Sequence, residues 1–213
     1  QRELVALQPG ESNNWISRLL QSRLFYRLPP SNIVELFRRL TPESVSKGQV
    51  VIKQGTSSDC CYFIKTGTAE VRLSSEKGPV TLAVLQSGQY FGEDGLLMEG
   101  TRNADVVMQS DGVVMRLDKK DFDELLKAPS LALMHFSEAV SAVASGEYEW
   151  LDVRLMDEQA KGILTGALRL PLQALRTKAH MLPTNKHYVV YCDTGRRSTA
   201  AAFLLGVMGY DAH

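Results

Sequence analysis

The stretch "YCDTGRRSTAAAFLLG", residues 191–206, leaves the apolar run "HYVVYC" (187–192), crosses a short polar turn and enters a segment rich in alanine and leucine. A β-branched and aromatic run of this length reads as a buried strand, and the Ala- and Leu-rich segment after it reads as a helix from about Arg197 to Met208. The unit is therefore strand, tight loop, helix. The same grammar extends upstream, with "YEWLDVR" (148–154) as a strand, then "ALRLPL" (167–172), then a helix from Leu172 to His180. Strands alternating with helices predict an α/β layer built on a parallel sheet.

Before Gly146 the texture is different. Between Trp15 and Leu40 the apolar residues Ile16, Leu19, Leu20, Phe25, Ile33, Leu36, Phe37 and Leu40 recur at helical steps, interrupted by Pro29 and Pro30. This predicts two short helices, the second starting near the cap Ser31. After Pro42 come short runs, "VVIKQG" (50–55), "CYFIKTG" (61–67), "AEVRL" (69–73), "VTLAVLQSG" (80–88) and "VVMRL" (113–117), divided by Gly or by turns such as "SSEKG" (74–78). Such spacing predicts an antiparallel β-barrel of jelly-roll type with flanking helices, an α+β domain. From Asp118 the helical period returns through Phe122, Leu125, Leu126, Leu131, Met134, Phe136, Val140 and Val143, broken near Pro129 and stopped by Gly146. The expected organisation is a helical segment over residues 1–30, a β-rich domain over 31–145 and an α/β domain over 147–213, with the boundary between Ala144 and Glu147. The chain stops at His213 directly after "GY", where another strand is expected, so the last domain reads as truncated. Starting at Gln1 without Met, the chain reads as a fragment or a processed product.

Lys plus Arg and Asp plus Glu number 24 each, so no net field draws nucleic acid or an anionic membrane, and neither partner is expected. An anion site must be local. There is no signal-peptide pattern and no apolar run near 18 residues. A reducing cytoplasm fits the three cysteines, Cys60, Cys61 and Cys192. Cys60 and Cys61 read as packing residues, and no metal is expected without paired ligand spacings.

Two segments carry chemistry. "QYFGEDGLLMEGTRNADVVM" (89–108) interrupts the strands with Gly92, Gly95 and Gly100, includes Leu96 and Leu97, and places Arg102 nine positions after Glu93. A glycine turn feeding a short helix aims backbone N–H groups at a phosphate, the arginine neutralises it, and Glu93 accepts from a sugar hydroxyl. A solvated turn fits the same residues. In the second segment, loop N–H groups after Cys192, the helix start and Arg197 favour thiolate, and Gly195 permits the turn. The alternative is a reduced core cysteine.

Residues 31–145 resemble a cyclic nucleotide-binding domain of the catabolite activator and protein kinase A regulatory type. The matching features are Gly55, "YFIKTGTAEV" with Gly67, "LQSGQYFGE", and the Gly-Glu pair followed by Arg in "TRNADV". The resemblance implies that Gly92 and Glu93 face the ribose and that Arg102 pairs with the cyclic phosphate. Asn103 and Ala104 would add donors, Gly95 and Leu96 would belong to the same cradle, and Val71 and Leu82 would flank the purine. Asp94 stands where many members have an apolar residue, and Asn103 where Ser, Thr or Ala is usual. Lacking the Thr hydroxyl often used for guanine, the site is expected to take cAMP rather than cGMP. The helices after the barrel would carry the output, and a homodimer through them is left open. No helix-turn-helix follows them.

Cys192, Gly195, Arg197 and Ser198 match the Cys x x Gly x Arg Ser loop of rhodanese-like sulfurtransferases. "WLDVR", "GILTGALRLPL" and "FLLGVMGYDA" resemble other parts of that family in the same order, with Ile163 and Thr165 where His and Pro are usual. Four residues, Asp193, Thr194, Gly195 and Arg196, separate Cys192 from Arg197, whereas the related phosphatases have five. The resemblance implies a Cys192 persulfide formed from a small donor such as thiosulfate or a persulfide. Arg197 would fix the loop and Arg196 attract an anionic donor, with Asp193 opposing one. Asp152 and Arg154 read as a structural pair beneath the loop. The function expected is a cyclic nucleotide-responsive sulfurtransferase; the alternative is a non-catalytic sensor or scaffold.

Overall fold

The computed structural model describes residues 12–75 and 78–213. Residues 1–11 of the N-terminal segment and Glu76 and Lys77 of the "SSEKG" turn lie outside the described residues. The chain divides after Leu126 into two compact units.

The first unit opens with α1 (Ser12–Leu20), α2 (Arg23–Tyr26) and α3 (Pro30–Arg39). Three helices replace the two expected, because the chain turns at Gln21 and Ser22. The last begins at Pro30, whose fixed φ and missing N–H suit a first helical position, rather than at a Ser31 cap. Trp15 meets Phe37 edge-on at 5.8 Å, packing α1 on α3.

Eight strands follow: β1 (Thr41–Val45), β2 (Val50–Ile52), β3 (Cys60–Thr66), β4 (Thr68–Leu73), β5 (Val80–Gln86), β6 (Tyr90–Phe91), β7 (Asp105–Met108) and β8 (Gly112–Asp118). They form two four-stranded antiparallel sheets, ordered β1-β8-β3-β6 and β2-β7-β4-β5. Val45, Ile52, Ile64, Phe91, Met108 and Val114 form the core they share. Each sheet buries one face against the other, which is why the sequence alternates in short runs. The exception is β3, continuously buried from Cys60 to Ile64 because α1, α5 (Lys119–Phe122) and a short helix after β6, α4 (Glu93–Leu97), pack on it. Strand β1, "TPESV", gives no apolar alternation and contains Pro42; an edge position accommodates a residue that cannot donate to the ladder.

The second unit begins with α6 (Phe136–Ala144), which sets Ala139 against Trp150 and Val189 and stacks Phe136 on Trp150 at 6.0 Å. The contact-based division after Leu126 precedes the boundary expected between Ala144 and Glu147. Pro129 splits one apolar pattern into two pieces serving different cores, Phe122, Leu125 and Leu126 in the first unit and Ala139 in the second. Beyond α6 run β9 (Tyr148–Asp152), α7 (Met156–Ala160), β10 (Leu168–Arg169), α8 (Leu175–Lys178), β11 (His187–Tyr191), α9 (Arg196–Met208) and β12 (Asp211–Ala212). The sheet is parallel throughout, ordered β10-β9-β11-β12. The strand expected after "GY" begins within the chain, because Asp211 and Ala212 pair with His187 and Tyr188. Helix α9 buries Ala200 through Gly206 over this sheet and ends at Gly209 with φ of +95°. Among the described residues no helix is long and apolar enough to cross a membrane.

Candidate functional site

Each unit gathers one set of the chemistry-bearing residues. In the first, β6 turns into α4 through Gly92, whose φ of +89° lies in the left-handed region. A Cβ there would sit 2.8 Å from Ile52 Cδ1 and 2.9 Å from Arg102 Nη1, so glycine is favoured by conformation and a side chain would displace the ends of these two. Arg102 is pinned by its backbone, donating to the Thr56 carbonyl at 2.8 Å and accepting from Gly55 N–H at 2.9 Å. Its buried guanidinium donates from Nη1 to the Gly92 carbonyl at 2.8 Å and from Nη2 to Cys60 Sγ at 3.5 Å, and lies 3.5 Å from Asp59 Oδ1.

Glu93 and Leu96 are buried in α4. Gly95 lies against Ser58, where an added Cβ would come 2.5 Å from Oγ, and that Oγ is buried with no hydrogen-bond partner. Gly92, Glu93, Gly95, Leu96 and Arg102 thus share one turn. Asn103 is exposed beside them and Ala104 half-buried.

The two residues expected to flank a purine part company. Val71 packs on the core, and its partner across the strand is Ala83. Leu82 falls in a register break on the edge strand β5 and is 57% exposed, so it does not pair with Val71. A bulge leaves one residue out of the ladder and cannot be read from an apolar run such as "VTLAVL".

The sequence reading missed Asp105 and assigned Cys60 to packing alone. Asp105 accepts from Gln54 N–H at 2.8 Å and Ser74 Oγ at 2.9 Å and pairs with Lys53, tying β2 to β4 beside the loop. Those donors, the Gln54 N–H first, hold its carboxyl below the usual range. Cys60 and Cys61 are both free and buried, and burial pushes both thiols up.

In the second unit Cys192 follows β11, and Gly195, with φ of +82°, opens α9. Cys192 Sγ accepts from Ser198 N–H at 3.3 Å and lies 3.5 Å from Ser198 Oγ, which donates to the Gly195 carbonyl at 3.0 Å. Burial pushes the Cys192 thiol up, but the Ser198 hydroxyl and the N–H groups of Ser198, Thr194 and Gly195 outweigh it and hold the thiol below its ordinary value.

Arg197 is anchored by carboxylates. Both its terminal nitrogens grip Glu158 of α7, Nη2 donating to Oε1 at 2.8 Å, and Nη2 lies 3.4 Å from Asp193 Oδ2. Glu158 also accepts from Leu155 N–H at 2.7 Å, and its carboxyl is held down to about 2, by Arg197 first. The sequence reading missed Glu158. Its signal was position, an acid three residues after a helix N-cap, where it reaches back to the N-cap N–H.

Beneath the loop Asp152 is fully buried, accepting from Arg154 Nη2 at 2.7 Å, Arg154 Nε at 3.1 Å and Tyr191 Oη at 2.9 Å. Arg154 also donates to the Gly162 carbonyl at 2.6 Å and lies 3.8 Å from Asp193. Arg196 is exposed at the start of α9. Among the described residues no cluster of three His, Cys, Asp or Glu side chains could hold a metal.

Compared with known proteins, residues 42–128 match the cyclic nucleotide-binding domain and residues 136–213 the rhodanese-like domain. The chain joins a cyclic nucleotide-binding domain to a rhodanese-like domain. It is 38% identical over 96 residues to the cAMP-dependent protein kinase type II regulatory subunit of Drosophila melanogaster, spanning 45% of this chain and 25% of that one. It is 32% identical over 108 residues to the cGMP-dependent protein kinase egl-4 of Caenorhabditis elegans, spanning 44% and 14%. A solved structure of cAMP-bound PfPKA-R (141-441) superposes with a TM-score of 0.54 at 25% identity, covering 59% of this chain and 45% of that one. The chain thus spans a quarter or less of these two curated relatives. The Gly92–Arg102 turn lies inside the cyclic nucleotide-binding domain, and the Cys192 loop with Glu158 lies inside the rhodanese-like domain.

Proposed function

We propose that this chain is a cyclic nucleotide-responsive sulfurtransferase, its β-sandwich taking cAMP and its α/β domain carrying sulfane sulfur on Cys192. The observation that carries the reading is the Cys192 loop, where N–H groups of Thr194, Gly195 and Ser198 favour a thiolate and offer donors to a second sulfur. The thiolate attacks the outer sulfur of thiosulfate; the new S–S bond forms as sulfite leaves with the electron pair of the broken one. Cyanide, or another thiophilic acceptor, then takes the outer sulfur and returns the thiolate. Arg197 and Glu158 fix the loop, and Arg196 supplies positive charge at its surface.

In the β-sandwich the cyclic phosphate meets Arg102 and the turn at Gly92, with Asn103 and Ala104 beside it, Glu93 accepts a ribose hydroxyl and Val71 offers the purine an apolar face. The absence of the Thr hydroxyl often used for guanine favours adenine. The three free thiols suit a reducing compartment such as the cytoplasm.

The second reading, a sensor or scaffold, also rests on an observation. Arg154 and Arg197 are both committed to carboxylates, and Asp193 is exposed in the loop where an anionic donor would arrive. Thiocyanate formation from thiosulfate and cyanide, with and without cAMP, separates the readings. Activity lost in Cys192→Ala supports the enzyme, and no Cys192-dependent thiocyanate rejects it. Calorimetric titration of cAMP into the wild type and Arg102→Ala tests the ligand; activity indifferent to bound cAMP rejects the coupling.

A further inference from the structure

The rhodanese-like unit holds a cleft of about 480 Å³ that involves none of the cysteine-loop residues. It lies where β10 ends, between the chain from Arg169 to Ala174 and the start of α7. Ligands of open α/β sheets collect at this carboxyl edge, and the volume falls in the range of small-molecule sites. Leu170, Pro171 and Ala174 give apolar surface to one side. Leu155 and Met156 give it to the other, where they are 40% and 77% exposed, an apolar rim with nothing over it among the described residues.

The charges lining the cleft have one sign. Arg169, from β10, and Lys178, from the end of α8, both line it, and no acidic side chain does. Neither side chain has an ion-pair partner among the described residues, whereas Arg154 and Arg197 of the same unit are gripped by Asp152 and Glu158. Since the whole chain is neutral, this pair of cations is a local arrangement and not a consequence of a basic protein. Gln159 closes the floor, its Nε2 donating to the carbonyls of Asp152 at 3.0 Å and Arg154 at 3.1 Å, so the floor is fixed and its amide donors are already engaged.

We propose that this cleft binds a small amphipathic organic anion, a carboxylate or sulfonate on an apolar body. The anionic head lies between Arg169 and Lys178, and the body covers Leu155, Met156, Leu170 and Ala174. Neither sulfur transfer nor nucleotide binding is required for this, so the site stands or falls by itself.

Octanoate is the probe, titrated into the full chain and followed by backbone amide NMR shifts, with 1-octanol and inorganic phosphate as comparison arms. Saturable shifts at residues 155–156, 169–170 and 172–174 are expected. Binding should weaken about five-fold or more in Arg169→Gln/Lys178→Gln, the scale of two exposed ion pairs. Both residues are exposed, so the variant keeps its fold, checked by its unchanged spectrum elsewhere. Octanol should bind more weakly for want of the charge, and phosphate for want of the apolar body. Equal octanoate affinity in the double variant, equal binding of octanol or of phosphate, shifts confined to other residues, or no saturation would each overturn the proposal.

Discussion

Replacing Gly92 with alanine tests the packing of its turn on Arg102 through two separable penalties. The first is conformational: a non-glycine residue at φ of +89° costs about 1–2 kcal/mol. The second is steric: the new methyl would stand 2.8 Å from Ile52 Cδ1 and 2.9 Å from Arg102 Nη1, and overpacking of this kind costs about 1–3 kcal/mol. Together they remove about 2–5 kcal/mol. With a urea slope of about 2 kcal/mol/M the unfolding midpoint of this unit falls by roughly 1–2.5 M. Gly48→Ala supplies the control. Gly48 has nearly the same φ, +83°, with nothing within 4 Å of the added Cβ, so it carries the first penalty without the second and should lose roughly 0.5–1 M. The methyl at position 92 also pushes against the guanidinium, so cAMP binding measured by calorimetry should be lost in Gly92→Ala and kept in Gly48→Ala. If the two variants unfold within about 0.3 M of each other and bind cAMP alike, the close packing of Arg102 on Gly92 is wrong.

Ser198→Ala removes the hydroxyl beside Cys192 and keeps the Ser198 N–H, so the pH midpoint of iodoacetamide alkylation should move up toward that of an ordinary thiol; an unchanged midpoint means the hydroxyl plays no part. Glu158→Gln weakens the grip on Arg197, and amide hydrogen exchange over residues 193–198 should quicken while that of β11 stays slow; equal exchange in both proteins would detach α7 from the loop. The folded pKa of Asp152 is depressed by Arg154 and Tyr191 against the opposing effect of burial. Its contribution to stability is therefore present above the usual carboxylate value near 3.9 and is lost as pH falls through the lowered folded value. Urea unfolding of the second unit from pH 7 to 3 should show this decline, and Asp152→Asn should flatten it; an equally steep decline in the variant assigns the acid sensitivity elsewhere.

The elements most legible in the sequence were those whose burial repeats. Helix α9 and strand β11 were readable because the helix is covered on every side from Ala200 to Gly206 and the strand on both faces, leaving unbroken apolar runs. Strands β1, β6 and β7 were not: β1 has the polar run "TPESV", β6 is two residues long, and "DVVM" sits inside the arginine segment. The division of the chain is hard to read because periodicity reports that a helix buries a face and is silent on which core receives it. At the sites, residue types fixed by backbone geometry were visible, Gly92 and Gly195 above all. Side chains that act through others were hidden: the N-cap position of Glu158 was readable, but its grip on Arg197 across 39 positions of chain is seen only in the fold.

The three cysteines differ in a way that has a practical use. Cys60 and Cys61 are buried with raised thiol pKa values, while Cys192 is half-buried with a lowered one. Near neutral pH a thiol-directed label should therefore enter the native protein at one position and the unfolded chain at three. Mass spectrometry after a brief pulse would then read conformation as an integer, with intermediate values of two reporting a breach of the β-sandwich at Cys60 before global unfolding.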